Sequence, residues 1–321
     1  MKILIASKIH PDTVAELRLT HDVMERINAS ENELCEIIAD RDVLVFRSGV
    51  QINRTVLANA ANLKLLIRAG SGLDNLDLPF ATELGIDLVR IPEPGAQAVA
   101  ELAFGLMLNL AREIRLVDNE LRRGHWAKQQ TTGYTLHKKT LGIVGAGNIG
   151  SRVGEMATAW GMQAVGCVQH ADQADADHLQ RCGIRLANLK EVVSSADFLT
   201  IHVPKTESTF NLINREVISW MKPASFLVNL ARGGVLDEKA LYDALQSQEG
   251  PIGAALDVHE QEGGGAISPL AKLSNVILTP HIGATTVDTM REIGDRILAT
   301  LNSPSNHCFA QPPKIGSPTV I

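Results

Sequence analysis

The residues best suited to chemistry fall in four short stretches of the second half of the chain. They are Gly145-Ala-Gly-Asn-Ile-Gly150, Asn229-Leu-Ala-Arg-Gly-Gly234, Asp257-Val-His-Glu-Gln-Glu262 and Thr279-Pro-His-Ile-Gly283. Each follows an apolar run of strand type. In the first stretch Gly145, Gly147 and Gly150 are spaced G-x-G-x-x-G. The first glycine permits a tight turn, and the second lets backbone approach a pyrophosphate. The third lets a helix pack close to its strand, with unpaired N–H groups at the helix start facing the phosphates. Gly145, Ala146, Gly147, Asn148, Ile149 and Gly150 are therefore candidate dinucleotide contacts. The other three stretches bring an arginine, Arg232, a group of carboxylates and a histidine, His281, to strand ends. A guanidinium fork binds a carboxylate at two points and polarises a carbonyl. An imidazole moves one proton near neutral pH, and a carboxylate beside it keeps it charged and oriented. Hydride transfer between a nicotinamide and a hydroxy acid needs one of each. His202, in Thr200-Ile-His-Val-Pro204, is the rival histidine; the proline after it points to a fixed turn, so His202 reads as a wall lining the cofactor.

These residues need a sheet to hold them. After Gly150 the apolar positions switch to helical spacing at Ile149, Val153, Met156 and Ala157, so the glycines sit between strand and helix, the context that the fingerprint requires. From 140 to about 284 the strands expected are Leu141–Val144, Ala164–Val168, Phe198–His202, Phe226–Asn229, Gly253–Leu256 and Val276–Leu278, six in all. Before them, residues 1–97 read as a smaller α/β unit with strands at Ile3–Ala6, Val43–Phe46, Leu65–Ile67 and Asp87–Val89. Helices are expected at Asp12–Leu19 and at Glu31–Ile38, the second led by Ser30 as N-cap. Alternation of helix and strand argues for parallel sheets covered on both faces. Arg47 and Arg68 follow strands of this unit, where open α/β sheets place ligands.

Pro92-Glu-Pro-Gly95 marks a boundary. Ala98–Ala111 is a helix apolar on almost every face, which calls for burial on several sides or sharing between domains or subunits and suggests a homodimer. Arg122–Lys139 reads as a polar connector. A helix from Thr285 to near Leu301 returns after the nucleotide domain is complete, and Ser303–Ile321 reads as a loosely held arm. The expected division is a dinucleotide-binding domain at 98–285 and a discontinuous substrate-binding domain at 1–97 and 286–321.

Composition narrows the class. The chain has 321 residues, 45% hydrophobic and 21% charged, with a net charge of −6. That is ordinary for a globular protein and, without a long basic run, argues against nucleic acid or an anionic membrane as partner. No uncharged apolar stretch is long enough to span a membrane. The start is too short and polar for a signal peptide. Cys35, Cys167, Cys182 and Cys308 are scattered, as for thiols in a reducing cytoplasm, and offer no zinc site, so no metal is expected.

The chain resembles the D-2-hydroxyacid dehydrogenase family, most closely its phosphoglycerate-dehydrogenase type. The matching stretches are Arg68-Ala-Gly-Ser-Gly-Leu-Asp-Asn-Leu-Asp, Val99-Ala-Glu-Leu, the Gly145 loop, His202-Val-Pro, Asn229-Leu-Ala-Arg-Gly-Gly and Thr279-Pro-His-Ile-Gly. They run in the family's order from about 43 to 290. The resemblance implies an α/β fold, a Rossmann doubly wound parallel sheet with a smaller flavodoxin-like substrate domain. The implied reaction is NAD-dependent oxidation of a D-2-hydroxy acid, or reduction of the 2-keto acid, with 3-phosphoglycerate-like substrates among those implied. It also implies a short form without the serine-binding regulatory domain of longer members. Arg232 would bind and polarise the keto acid, and His281 would be proton donor and acceptor. The family's acidic partner stands five residues after the aspartate that closes the strand; here that is Glu262, with Glu260 as the fallback. Ser71 and Gly72 would offer N–H groups to the substrate carboxylate. Arg47 and Arg68 match positions that hold a substrate phosphate. Further cofactor contacts are implied at Gln169, His202, Val203, Pro204, Leu230, Ala231, Asp257 and Gly283.

Four departures accompany the resemblance. Gly263 replaces a proline, with Gly264-Gly265 after it, and His259 replaces an aromatic residue. The regulatory domain is the third. Most consequential, the ribose-binding aspartate maps to Val168, and neither Gln169 nor His170 replaces it, so NADP is admitted beside NAD unless Asp172 folds back. A dinucleotide-sensing binding protein on the same fold, with little turnover, is the alternative.

Overall fold

Apolar runs alternate with helices from the first residues, and each run becomes a buried parallel strand. The computed structural model describes residues 1–247, 250–263, 265 and 268–302. The chain divides into two units, Met1–Gly95 with the segment starting at Ala284, and Ala96–Gly283.

The first unit runs β1 (Lys2–Ile5), α1 (Pro11–Thr20), β2 (Asp22–Glu25), α2 (Glu31–Ile37), β3 (Val43–Phe46), α3 (Arg54–Ala58), β4 (Leu65–Arg68), α4 (Leu78–Glu83) and β5 (Asp87–Arg90). Its five strands are parallel in the order β2-β1-β3-β4-β5, the flavodoxin-like order. Side chains alternate across the strands. Ile3, Ile5, Val45 and Ile67 face one core, and Leu4, Leu44, Phe46 and Leu66 face the other. Each aliphatic side chain buried there contributes about 1.5–3 kcal/mol.

The second unit begins inside α5 (Glu93–Arg112) and continues with α6 (Ile114–Arg122), β6 (Thr140–Val144), α7 (Asn148–Ala159), β7 (Gln163–Cys167), α8 (Gln173–Arg181), β8 (Ile184–Leu186), α9 (Leu189–Ser195), β9 (Phe198–Ile201), α10 (Arg215–Ser219), β10 (Phe226–Asn229), α11 (Glu238–Gln246), β11 (Gly253–Leu256) and β12 (Val276–Leu278). Seven parallel strands lie in the order β12-β11-β10-β9-β6-β7-β8, a doubly wound sheet whose order reverses between β6 and β9. Ligands of such sheets bind outside the carboxyl ends of the strands at that reversal. The last helix, α12 (Val287–Asn302), belongs to the first unit, where Ile293, Ile297 and Leu301 join the core that contains Val14 and Leu17. Gly294 permits this close fit, because a Cβ there would stand 1.9 Å from Thr13 Oγ1.

Several expectations need correction. The nucleotide sheet has seven strands, not six, and the first sheet has a strand at Asp22–Glu25 that was not expected. Both missed strands, β2 and β8, are short sheet edges with polar residues among few apolar ones, so neither shows a clear apolar run. Helices α3, α4 and α6 were also not anticipated. Pro92–Gly95, read as a boundary, ends where the two units divide, and α5 already starts within it at Glu93, with Pro94 in its first turn, where a missing N–H costs nothing. That helix exposes only Glu93, Gln97, Glu101, Gly105 and Arg112, while Ala100, Ala103, Phe104, Met107 and Leu110 are buried within the single chain. Its apolar character therefore does not by itself require a second subunit. The expected arm at 303–321, with Cys308, lies outside the described residues, as does Gly264. Among the described residues no helix is long and apolar enough to cross a membrane.

Candidate active site

The glycine turn is built as its spacing requires. Gly145 has φ +92°, and it and Ala146 donate N–H bonds to the Cys167 carbonyl, at 3.1 and 3.0 Å. A Cβ on Gly145 would stand 2.9 Å from the His202 carbonyl oxygen, so the turn lies against the end of β9 at the reversal of strand order. A Cβ on Gly150 would stand 2.3 Å from the Gly145 carbonyl oxygen, so this glycine lets α7 begin directly on the turn. Gly147, by contrast, faces open space and is the N-cap of α7 without a side-chain cap. Open space before uncapped N–H groups at a twelve-residue helix is a cradle that fits a dinucleotide pyrophosphate. Asn148 and Ile149 open that helix.

A second construction lies at the ends of β11 and β12. His281 Nδ1 stands 2.9 Å from Glu262 Oε2, with both side chains partly exposed. A carboxylate only accepts, so Nδ1 carries the hydrogen and Nε2 is left for other chemistry. Burial raises the Glu262 carboxyl, but the hydrogen bond and charge of His281, with the His259 N–H, outweigh it and leave the group below its ordinary value. His281 itself is held in left-handed backbone, φ +54°, a conformation that costs a non-glycine residue about 1–2 kcal/mol. Asp257 holds it there. The buried carboxylate accepts Ile282 N–H at 2.9 Å, Gly283 N–H at 2.8 Å and the Thr279 hydroxyl at 2.6 Å, while its own carbonyl accepts His281 N–H at 2.8 Å. Asp257 staples the histidine turn, and Gly283 is its tight-fitting end; both are among the expected cofactor contacts. Glu260 is engaged elsewhere: it exchanges two hydrogen bonds with Glu238 at the start of α11, of 3.0 and 2.7 Å.

Arg232 follows β10 on a turn pinned by Asn229 Oδ1, which accepts Ala231 N–H at 3.1 Å. Its Nη1 donates to the Ala231 carbonyl at 2.7 Å, and the side chain is half-buried. Leu230, Ala231 and Val203 are buried beneath these turns, whereas Pro204 and Gln169 are exposed. The His202 ring bonds Thr200 Oγ1 at 2.8 Å through Nε2, its Nδ1 is buried without a partner, and burial pushes the ring down to about 3. A ring that stays neutral suits a wall better than a proton shuttle.

Val168 lies just past β7 and is half-buried. Asp172 does not fold back toward it. Its side chain caps α8 by accepting Asp175 N–H at 2.9 Å, and Asp175 returns the bond to Asp172 N–H at 3.2 Å.

In the first unit, Arg47 donates to the Ala284 carbonyl at 3.0 Å, and burial lowers its guanidinium from the ordinary value. Arg68 is buried, and its Nε bonds the Gly72 carbonyl at 2.7 Å, so it organises its own loop. Ser71 presents its carbonyl to Arg90, and the N–H groups of Ser71 and Gly72 donate no hydrogen bond among the described residues. Among the described residues there is no cluster of three or more His, Cys, Asp or Glu that could hold a metal.

Sequence reading did not anticipate Asp257 as a staple, nor Thr279 as its partner. Both depend on which residues of β11 and β12 stand opposite one another, Leu256 against Leu278, and no local pattern reports that register.

Comparison with known proteins places this geometry. The model of the D-isomer specific 2-hydroxyacid dehydrogenase NAD binding domain matches residues 104–283. The chain is 42% identical over 296 residues to the D-3-phosphoglycerate dehydrogenase of Methanocaldococcus jannaschii, covering 92% of this chain and 55% of that protein. It is 40% identical over 281 residues to the hydroxypyruvate reductase of Thermotoga maritima, covering 87% of this chain and 88% of that protein. The crystal structure of D-lactate dehydrogenase from Aquifex aeolicus complexed with NAD and lactic acid superposes with a TM-score of 0.80 at 26% identity, over 94% of each chain. The chain spans about half the length of the phosphoglycerate dehydrogenases that it matches. With its glycine turn at the reversal of a doubly wound sheet and its paired glutamate and histidine at strand ends three and four strands away, the chain belongs to the D-isomer specific 2-hydroxyacid dehydrogenase family.

Proposed function

We propose that this chain is an NAD(P)-dependent D-2-hydroxyacid dehydrogenase, interconverting a small D-2-hydroxy acid and its 2-keto acid. The observation that carries the proposal is the His281–Glu262 pair, 2.9 Å apart, at the sheet edge that also bears the glycine turn. Gly145 to Gly150 would hold the dinucleotide, and the nicotinamide, when bound, gives or takes the hydride. Glu262 fixes the Nδ1–H tautomer of His281. Its Nε2 can then take the hydroxyl proton during oxidation or, protonated, give a proton to the ketone oxygen during reduction. Arg232 is assigned to the keto acid, where a planar fork can bind the carboxylate and polarise the carbonyl. The unpaired N–H groups of Ser71 and Gly72 are assigned to the carboxylate, and Arg47 and Arg68 to a phosphate on the substrate, where one is present.

Phosphorylated three-carbon acids such as 3-phosphoglycerate are the favoured substrates, with glycerate, the reduced form of hydroxypyruvate, as the plain counterpart. Steady-state kinetics over phosphorylated and plain 2-keto acids, with NADH and with NADPH, tests this. Turnover of at least one 2-keto acid is expected, and tight nucleotide binding without turnover on any would favour a sensing protein. Absence of an acid at Val168 supports weak discrimination between the two nucleotides. Exposed Ile114, Leu116 and Leu121 on α6, with Trp126 beyond it, support a homodimer, which sedimentation at micromolar concentration would test. The compartment we assign is the cytoplasm, a reading that rests on the scattered cysteines, of which Cys35, Cys167 and Cys182 are free thiols among the described residues.

A further inference from the structure

We infer that His259 is a positioning residue that holds the loops of Arg232, Glu262 and His281 in register, an inference that rests on the catalytic reading above. Three contacts from one residue reach three strand-end loops. Its backbone carbonyl lies against Gly233, where a Cβ would stand 1.7 Å from the oxygen, so the loop next to Arg232 is seated on His259. Its N–H donates to Glu262 Oε1 at 3.3 Å, while the other carboxylate oxygen, Oε2, takes His281. Its ring Nε2 stands 2.9 Å from the carbonyl of Thr279, two residues before His281.

The chemistry of these contacts fixes the ring. A carbonyl can only accept, so Nε2 carries the hydrogen and Nδ1 bears a lone pair. That Nδ1 is buried without a hydrogen-bond partner. An unmade hydrogen bond at a buried nitrogen is a cost that packing alone would avoid, since a phenyl ring would fill similar space without it. What the imidazole adds is the Nε2–H bond to the turn of His281. Asp257 clamps the same turn from the strand side, through Thr279 Oγ1 and the N–H groups of Ile282 and Gly283, while His259 clamps it from the loop that carries Glu262. Glu262 and His281 thereby keep their relative position although Gly263 and Gly265, with φ +120° and +89°, follow Glu262 in glycine-rich chain.

The test compares His259→Phe, which keeps a ring and loses the donor, with His259→Gln, whose side-chain amide can place an N–H near Nε2. Both are measured in the full chain, in the wild-type background and with Glu262→Gln. His259→Phe should lower kcat by about 10-fold, with KM for the nucleotide unchanged, and His259→Gln should restore most of the loss. With Glu262→Gln present, His259→Phe should have little further effect, because both act through one pair. Amide hydrogen exchange gives a readout independent of turnover: the His281 N–H should exchange about 5- to 10-fold faster in His259→Phe and near the wild-type rate in His259→Gln. Wild-type exchange and wild-type kcat in His259→Phe would overturn the inference, as would equal losses in the Phe and Gln variants. Should the wild-type chain turn over no 2-keto acid, the catalytic reading fails, while the exchange measurement still decides whether His259 holds the turn.

Discussion

Introducing an aspartate at Val168 should convert a permissive nucleotide site into an NAD-selective one. In an NAD-specific site, a carboxylate at the end of the second strand accepts hydrogen bonds from the adenosine ribose and repels a 2′-phosphate. Val168 offers neither, and Gln169 beside it is exposed. The nearest candidate to compensate, Asp172, is spent on the cap of α8, where it exchanges two hydrogen bonds with Asp175. Charge-assisted hydrogen bonds to the ribose are worth about 1.5–3 kcal/mol, or about one to two decades of affinity. The substitution should leave the glycine turn intact, because that turn is tied to the Cys167 carbonyl and not to residue 168. The assay is kcat/KM for NADH and for NADPH in the wild type and in Val168→Asp, with direct titration of each nucleotide to separate binding from turnover. A small wild-type ratio that rises about 10- to 100-fold toward NADH is expected. A wild type already strongly selective for NADH would refute the reasoning and locate ribose recognition in another group.

Other consequences can be measured on the same protein. Arg232→Lys keeps the charge but loses the planar fork, so its kcat/KM should fall nearly as far as that of Arg232→Ala; near-normal Lys activity would reduce Arg232 to a point charge. Asp257→Asn weakens a carboxylate that accepts three hydrogen bonds, and urea denaturation should show a loss of about 2 kcal/mol together with lowered kcat; unchanged stability would remove Asp257 as the staple. Glu262 is held below its ordinary value in the fold, so the stability it contributes is full above the unfolded carboxylate range and is lost as pH falls through the lowered value. The stability gap between wild type and Glu262→Gln, modest because the side chain is partly exposed, should therefore be present at neutral pH and shrink as pH falls below the ordinary carboxylate range; a gap that does not change with pH would mean that the carboxylate's charge contributes nothing.

Much of this arrangement was legible in the sequence, for identifiable reasons. Glycine spacing carries its own geometry, so the turn from β6 to α7 could be read residue by residue. Strands buried on both faces, such as Val43–Phe46 and Phe226–Asn229, are near-continuous apolar runs, and the residues just past them fall at the ligand edge. Edge strands Asp22–Glu25 and Ile184–Leu186 lack that signal because half their ladder and much of their surface face solvent. Glu262 is preferred to Glu260 in the sequence only through the family's spacing, not from the residues themselves. Both sit on an irregular loop without periodicity, and the structure separates them because Glu260 is taken by the first turn of α11. The left-handed backbone of His281 was equally hidden, since it is held by a carboxylate 24 positions earlier in the chain.

The most direct measurement follows a deuterium atom. Purified protein is incubated with NADH deuterated at the nicotinamide ring carbon that carries the hydride, together with hydroxypyruvate or its 3-phosphorylated form, and the product is examined by mass spectrometry and chiral chromatography. The expected product is a D-2-hydroxy acid with deuterium on the hydroxyl-bearing carbon, formed by the wild type and about 10²–10⁴-fold more slowly by His281→Ala, whose nucleotide affinity stays near that of the wild type. Unlabelled product, the L-isomer, or a His281→Ala variant as fast as the wild type would contradict it.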